Sequence, residues 1–228
     1  MVSGDNPRMN ELPILYIGEK NRSSWSMRAW VALKHKGVPF DERLIRLIDD
    51  KNRVQRRKVS PTGKVPVLHH GAVVIPDSLA IIEYLEETYP PPTYPALWPQ
   101  ARAERARARW LAAAMHSGYG AIRTHMSFNL CFLPEVPRAH PDALAEAQEV
   151  LSLWEETLAR PDRAGGPYLC GAFSAADVMF ATLAARLKAF KVPTADFPRA
   201  SAWMDAVFTV PAVQAWMDEA RTLPASAE

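Results

Sequence analysis

The stretch Asn21-Arg22-Ser23-Ser24-Trp25-Ser26-Met27-Arg28-Ala29-Trp30 joins a predicted strand at about 13–17 to a predicted helix at about 25–36. Gly37 is a suitable stop for that helix. The serines therefore fall where a helix has unpaired N–H groups and a partial positive charge. Such a position suits an anion or a thiolate, and it is equally the place where an ordinary helix cap puts a serine.

Alternating strands and helices around this stretch predict an α/β domain. A short strand around 39–45 follows the helix, and residues 49–60 form a loop or a short helix. Strands at 65–68 and 72–75 flank the turn His70-Gly71 and predict a hairpin. A helix follows to about 89, with apolar residues at positions 79, 82 and 85. The first strand–helix–strand unit predicts parallel neighbours with a right-handed crossover.

A cluster of prolines separates this part from the rest: Pro90, Pro91, Pro92, Pro95 and Pro99. Because proline interrupts helices and favours extended backbone, we place the domain boundary here. The prediction is an N-terminal domain at 1–89, a linker at 90–100 and an all-helical domain at 101–228. Its helices are expected at about 101–129, 141–160, 174–190, 197–208 and 211–221. Ser174-Ala175-Ala176-Asp177 has the pattern of a structural helix cap.

Composition excludes several classes of function. The chain has 228 residues, 48% of them hydrophobic, and a net charge of +2, which gives no compositional case for a nucleic-acid partner. It has no apolar run of the ~20 residues that span a bilayer and no signal-peptide core, so we expect a cytoplasmic protein. The basic run at 51–58 fits a solvated loop beside an anionic site as well as a nucleic-acid patch.

Cysteines and histidines give no sign of a metal or disulfide. Cys131 and Cys170 belong to no CxxC motif, and two reduced, partly buried thiols are expected. His69, His70 and His125 lack the spacing of metal ligands, so no metal is expected.

Two further sites are able to hold a small peptide-like ligand. At Val65-Pro66, a cis bond would direct the Val65 N–H and C=O away from the sheet to pair with an extended ligand, whereas a plain trans proline is the commoner case. At Asp77-Ser78, the start of a helix, the residues either form a cap or bind the carboxylate and amino group of an α-amino acid.

These motifs together resemble the cytosolic glutathione transferases over nearly the whole chain, most closely the zeta class and its bacterial relatives. Ser23-Ser24-Trp25-Ser26-Met27-Arg28 is similar to the zeta signature Ser-Ser-Cys-x-x-Arg, and 61–66 to the loop before the family's cis-proline. Residues 77–87 match Gln-Ser-Leu-Ala-Ile-Ile-Glu-Tyr-Leu-Glu-Glu except at Asp77. The resemblance implies a thioredoxin-like βαβαββα domain followed by a helical bundle, glutathione as co-substrate and a homodimer.

The resemblance also implies roles for individual residues. Ser23, five residues before Arg28, aligns with the serine that hydrogen-bonds the glutathione sulfur, with Ser24 and Trp25 beside it. Val65, next to Pro66, would pair with the cysteinyl backbone. Asp77 and Ser78 would hold the γ-glutamyl end, and Lys64 the glycine carboxylate.

The energetics of thiol activation favour a serine donor. Lowering a thiol pKa from ~8.5 to ~6.5 requires roughly 2.7 kcal/mol of preference for the thiolate. A helix N-terminus contributes ~0.3–1 kcal/mol, which is too little, and a hydrogen bond to a charged group adds about 1.5–3 kcal/mol. Ser23 is therefore expected to act as a donor and not as a nucleophile.

Two residues depart from the zeta isomerases. Trp25 replaces their Cys, and Ala189, before Phe190-Lys191-Val192, replaces an Arg. Both changes count against maleylacetoacetate isomerisation. Trp25 either narrows the site with an aromatic wall or packs between the domains.

The electrophile pocket is expected between the Ser23 loop and the helix at 101–129, lined by His116, Tyr119 and Arg123. Met115, Tyr119, Ile122 and Met126 recur at helical spacing, which favours core. We expect a transferase that joins glutathione to small apolar electrophiles. The alternatives are a glutathione-dependent isomerase (maleylacetoacetate or maleylpyruvate type) or peroxidase, and a non-catalytic transferase-like module that binds a protein.

Overall fold

The computed structural model describes residues 11–47, 50–129, 135 and 138–223, without the side chains of 50 and 51. The expectation for Cys131 lies outside these residues. The elements of the first part are β1 (Ile14–Ile17), α1 (Ser24–Lys36), β2 (Asp41–Leu44), α2 (Asp50–Val59), β3 (Val67–His70), β4 (Val73–Ile75) and α3 (Ser78–Thr88).

One four-stranded sheet organises this part of the chain, in the order β2-β1-β3-β4. β1 pairs in parallel with β2, Ile14 opposite Asp41, and antiparallel with β3, Tyr16 opposite Val67. β3 and β4 form the hairpin. The predicted βαβαββα order is confirmed, and residues 50–59 are a helix.

Helix α1 begins and ends at the predicted residues. Ser23 is the N-cap, and its Oγ accepts from the N–H of Ser26. Gly37 ends the helix in the left-handed conformation (φ 67°), where a side chain would be strained. The helix packs against α3 and also against helices of the second part, so it belongs to the core of both.

The regular elements of the second part are all helices among the described residues, as predicted, and two isolated β-bridges lie within 168–172. Its helices are α4 (Arg102–Ser117), α5 (Gly120–His125), α6 (Pro141–Ala159), α7 (Ala175–Ala189), α8 (Pro198–Phe208) and α9 (Pro211–Arg221). α7 is buried along nearly its whole length and lies at the centre. Among the described helices, none combines the length and apolar character needed to cross a bilayer.

The prediction of one helix over 101–129 is wrong. α4 ends at Gly118, whose backbone is extended, and Tyr119 has φ 63° before α5 starts. The Arg123 guanidinium donates to the carbonyls of Met115, Gly118 and His116. These bonds satisfy carbonyls at the end of α4 that a continuous helix would have paired.

The cap at Ser174 and Asp177 is confirmed and is fully buried. The Asp177 carboxylate accepts four hydrogen bonds: from the N–H of Leu169, the N–H and hydroxyl of Ser174, and Nε1 of Trp203. Burial raises the pKa of Asp177, and these bonds oppose the rise. The carboxylate therefore joins the start of α7 to α8.

Asp177→Ala should lower the free energy of unfolding by roughly 3 kcal/mol or more, because each buried donor left unpaired costs about 1–3 kcal/mol. Urea denaturation measures this. Asp218→Ala is the control, since Asp218 is exposed and pairs only with Arg221 at the surface. Equal stability of the two variants would contradict the structural role of Asp177.

Candidate functional site

A cavity of about 780 Å³ opens beside the N-termini of α1 and α3. It is lined by Arg22, Ser23, Ser24, Trp25, Leu47, Arg56, Thr62, Gly63, Lys64, Val65, Pro66, Pro76, Asp77, Ser78 and His116. The three loops singled out in the sequence therefore meet at one place, because β1 and β3 are neighbours and α1 and α3 follow β1 and the β3–β4 hairpin.

Two serines occupy the α1 end of the cavity. The Ser23 hydroxyl donates to Oγ of Ser26 (2.7 Å), which also accepts from the N–H of Gly18 (3.1 Å). The Ser24 hydroxyl accepts from Nη2 of Arg186 (3.0 Å). Both serines are almost completely buried. The end of α1 therefore presents two hydroxyl groups in a partly positive, dry environment.

The Val65–Pro66 peptide bond is cis. Val65 precedes β3, which begins at Val67, so the Val65 N–H and C=O lie outside the strand pairing. Both residues line the cavity, with Lys64 exposed beside them. An extended ligand chain has backbone groups to pair with here.

At the α3 end, Asp77 and Ser78 have different surroundings. Oδ1 of Asp77 caps the helix, accepting from the N–H groups of Leu79 and Ala80 (both 2.9 Å). Ser78 is completely buried, and within the described part of the chain its Oγ has no hydrogen-bond partner. A buried hydroxyl without a partner is unfavourable unless a ligand supplies one.

Trp25 lies between cationic side chains. The guanidinium carbon of Arg28 is 4.4 Å from the centre of the Trp25 ring and that of Arg123 is 5.0 Å away. The imidazole of His116 contacts the same ring edge-on at 5.1 Å. Trp25 thus forms an aromatic wall of the cavity and also joins α1 to α4 and α5.

Arg28 is a buried cation. It is 1% exposed, and among the described residues its Nε and Nη1 have no hydrogen-bond partner. Burial holds the pKa of Arg28 well below its usual value; Arg123 and Arg186 lower it further, and Asp77 opposes them. Arg28, Arg123 and Arg186 together produce a positive electrostatic potential behind Trp25 and the serines.

Known proteins match this fold and these motifs. The model of the glutathione S-transferase N-terminal domain matches residues 22–88, and that of the C-terminal domain matches residues 100–206. Rat maleylacetoacetate isomerase is 31% identical over 194 residues, 83% of this chain and 84% of that protein. The chain belongs to the glutathione S-transferase family.

Solved structures agree with this assignment. A glutathione transferase homologue from Burkholderia with bound glutathione has a TM-score of 0.69 at 30% identity, covering 93% of this chain and 99% of that one. A bacterial zeta-class transferase, maleyl pyruvate isomerase, has a TM-score of 0.71 at 28% identity, covering 94% and 100%.

In this glutathione transferase fold, the three residues predicted to line the electrophile pocket do not all lie in the cavity wall. His116 lines the cavity, whereas Tyr119 and Arg123 are not among the residues of its wall. Tyr119 packs edge-to-face on Phe180, and burial raises the pKa of Tyr119 to about 12. The core interpretation of Met115, Ile122 and Met126 is confirmed, since all three are fully buried.

Two residues at or next to the cavity wall could not be recognised from the sequence, Arg56 and Arg186. Arg56 lines the cavity and donates to the carbonyls of Gly63 and Arg46. Its place in a run of basic residues was a signal, but the run alone did not show which side chain turns inward. Arg186 was missed because its contact with Ser24 spans 162 positions.

One group of possible metal ligands lies outside the cavity wall. His125, His140 and Asp142 are exposed, and their ligand atoms lie within 4.8 Å of one another. Spacing did not reveal the group because His125 lies in α5, whereas His140 and Asp142 lie at the start of α6.

Arg28→Met should raise the free energy of unfolding by about 1 kcal/mol or more, because an apolar chain of similar length replaces a buried cation with two nitrogens unpartnered among the described residues. Urea denaturation is the measurement, and Arg109→Met, on the exposed pair with Glu83, is the control. A less stable Arg28→Met protein would contradict this expectation and show that the buried cation stabilises the fold.

Proposed function

We propose that this protein binds glutathione in the cavity and activates its thiol for reaction with an electrophile. The γ-glutamyl carboxylate lies on Ser78 at the start of α3, with the amino group at Asp77. Val65 pairs with the cysteinyl backbone, and Lys64 with Arg56 attracts the glycine carboxylate. The observation that carries the proposal is the buried Ser78 hydroxyl, without a partner among the described residues, at a helix N-terminus that lines the cavity.

In this binding mode, the sulfur lies at the N-terminus of α1. Ser23 is the proposed donor. A hydroxyl has one proton, so the Ser23 proton turns from Ser26 to the thiolate, while the Ser26 hydroxyl donates to Ser23 and keeps the pair bonded. Hydrogen bond and helix together supply about the 2.7 kcal/mol that the ionisation needs. The charge of Arg28 behind Trp25 adds to this preference.

Ser24 is the rival donor. It accepts from Arg186, and no acceptor takes its proton within the described part of the chain. The proposal for Ser23 rests on its alignment five residues before Arg28. The alanine variants of Ser23 and Ser24 are therefore compared by their effect on the pKa of bound glutathione.

Ser23→Ala should raise the pKa of bound glutathione by roughly 1–2 units, because a charge-assisted hydrogen bond worth about 1.5–3 kcal/mol is lost. Titration of the thiolate absorbance measures the pKa, and conjugation of a chromogenic aryl halide should fall in parallel. The variant should still be retained on a glutathione column.

Ser152→Ala, in α6, serves as the control. If Ser24→Ala and not Ser23→Ala raises the pKa, the donor assignment is wrong. If the wild-type protein neither binds the column nor conjugates, the non-catalytic module is favoured.

A glutathione-dependent isomerase is the second candidate function. The rat relative is named maleylacetoacetate isomerase, and Arg186 lies three residues before Ala189 in α7, with its guanidinium against Ser24. The cationic side chain of Arg186 therefore lies near the proposed sulfur site, although position 189 is an alanine. In such a reaction the thiolate adds to a carbon–carbon double bond, the single bond rotates, and the same C–S bond breaks. Thiol and protons are returned unchanged.

If isomerisation is the function, maleylacetone should be isomerised, and Arg186→Met should reduce that rate at least tenfold more than conjugation of a neutral aryl halide. Arg186→Lys should retain part of the difference, since it keeps the charge. Equal losses in both reactions would indicate only a folding role for Arg186. The homodimer, the cytoplasmic location and the division at 90–100 remain predictions.

A further inference from the structure

His116 reaches the cavity from α4, whereas every other lining residue belongs to the segment 22–78. Its Nε2 lies 3.2 Å from Oδ2 of Asp77. Its ring meets Trp25 edge-on, which limits rotation of the imidazole. The C-terminal helical part of the chain thus touches the residue that is proposed to receive the amino group of glutathione.

Both oxygens of Asp77 have a defined neighbour. Oδ1 accepts from two N–H groups of its own helix, and Oδ2 faces His116. A capping aspartate is drawn back onto its helix, and it is one methylene shorter than the Gln of the zeta motif. The cap bonds hold Oδ1, and the contact with His116 from outside the helix then restrains Oδ2.

The imidazole makes this contact without adding a charge. Burial lowers the pKa of His116; Asp77 raises it, and the positive charges of Arg28 and Arg123 lower it. Near neutral pH the contact therefore pairs a neutral ring with a carboxylate. A lysine or arginine here would neutralise Asp77 and repel an ammonium group, whereas a neutral ring 3.2 Å from Oδ2 leaves the negative charge of the carboxylate available.

We propose that His116 is a positioning residue that holds the Asp77 carboxylate toward the cavity, so that it receives the α-ammonium group of the γ-glutamyl end. This inference rests on the proposed binding of glutathione. Under this proposal, recognition of the free α-amino group depends on the contact between His116 in α4 and Asp77 at the start of α3. The site then selects thiols with a free γ-glutamyl amino group over those in which that group is absent or acylated.

Calorimetric titration with two ligands tests the inference. One is glutathione, and the other is glutaryl-cysteinyl-glycine, which differs only by lacking the α-amino group. The wild-type protein should prefer glutathione about tenfold, as expected for one charge-assisted contact. His116→Ala should reduce the preference to less than about threefold by weakening glutathione alone. His116→Gln keeps an N–H near the position of Nε2 and should retain most of the preference.

The pH dependence of the preference for glutathione over glutaryl-cysteinyl-glycine is an independent measurement. In the wild-type protein the preference should weaken as acid protonates His116, because the resulting ion pair neutralises Asp77. In His116→Gln the loss that depends on the imidazole should be absent. His125→Ala, an exposed histidine in α5, is the matched control and should behave as wild type.

The outcomes separate the two proposals. If the wild-type protein binds neither ligand, the proposed glutathione site is wrong. If it binds glutathione and His116→Ala keeps the tenfold preference, or loses affinity equally for both ligands, only the role of His116 is overturned. Unchanged affinities with a lower kcat would place the imidazole in the chemistry instead and would also overturn the inference.

Discussion

Two helix N-termini, those of α1 and α3, open onto one cavity, and the rest of the site depends on that arrangement. Each N-terminus carries a partial positive charge and N–H groups that have no partner within the helix, some of which are capped by Ser23 or Asp77. Each also has a buried serine hydroxyl, Ser24 at the first and Ser78 at the second. Two separate anionic groups of one ligand are what such a pair of ends can stabilise. A thiolate and an α-carboxylate, joined by a γ-glutamyl link, satisfy that requirement.

The site lies on helices that are held in place by core packing, independently of any ligand. Helix α1 packs against α3, α7 and α9, so the serines at its start are fixed by both parts of the fold. Arg28 works against this stability, because it is buried and lacks partners for two of its nitrogens within the described residues. A residue that opposes folding is understandable if, as proposed, its charge stabilises a thiolate.

Local sequence signals predicted most of the fold. The features that they did not predict depend on contacts between residues far apart in the chain. Gly37 and the cap at Ser174 and Asp177 could be recognised because turn and cap chemistry is encoded within a few residues. The break at Gly118 depends on Arg123 bonding back to α4, which periodicity does not show. Loop motifs likewise identified three segments that line one cavity. The contact between His116 and Asp77 depends on how α3 and α4 pack.

The central claim is the orientation of glutathione across the two helix ends. A crystal structure of the complex tests it most directly. The account predicts the sulfur within hydrogen-bonding distance of the Ser23 hydroxyl and the γ-glutamyl carboxylate on Oγ of Ser78. Glutathione bound with Ser78 still unpartnered, or with its sulfur away from the N-terminus of α1, would contradict it.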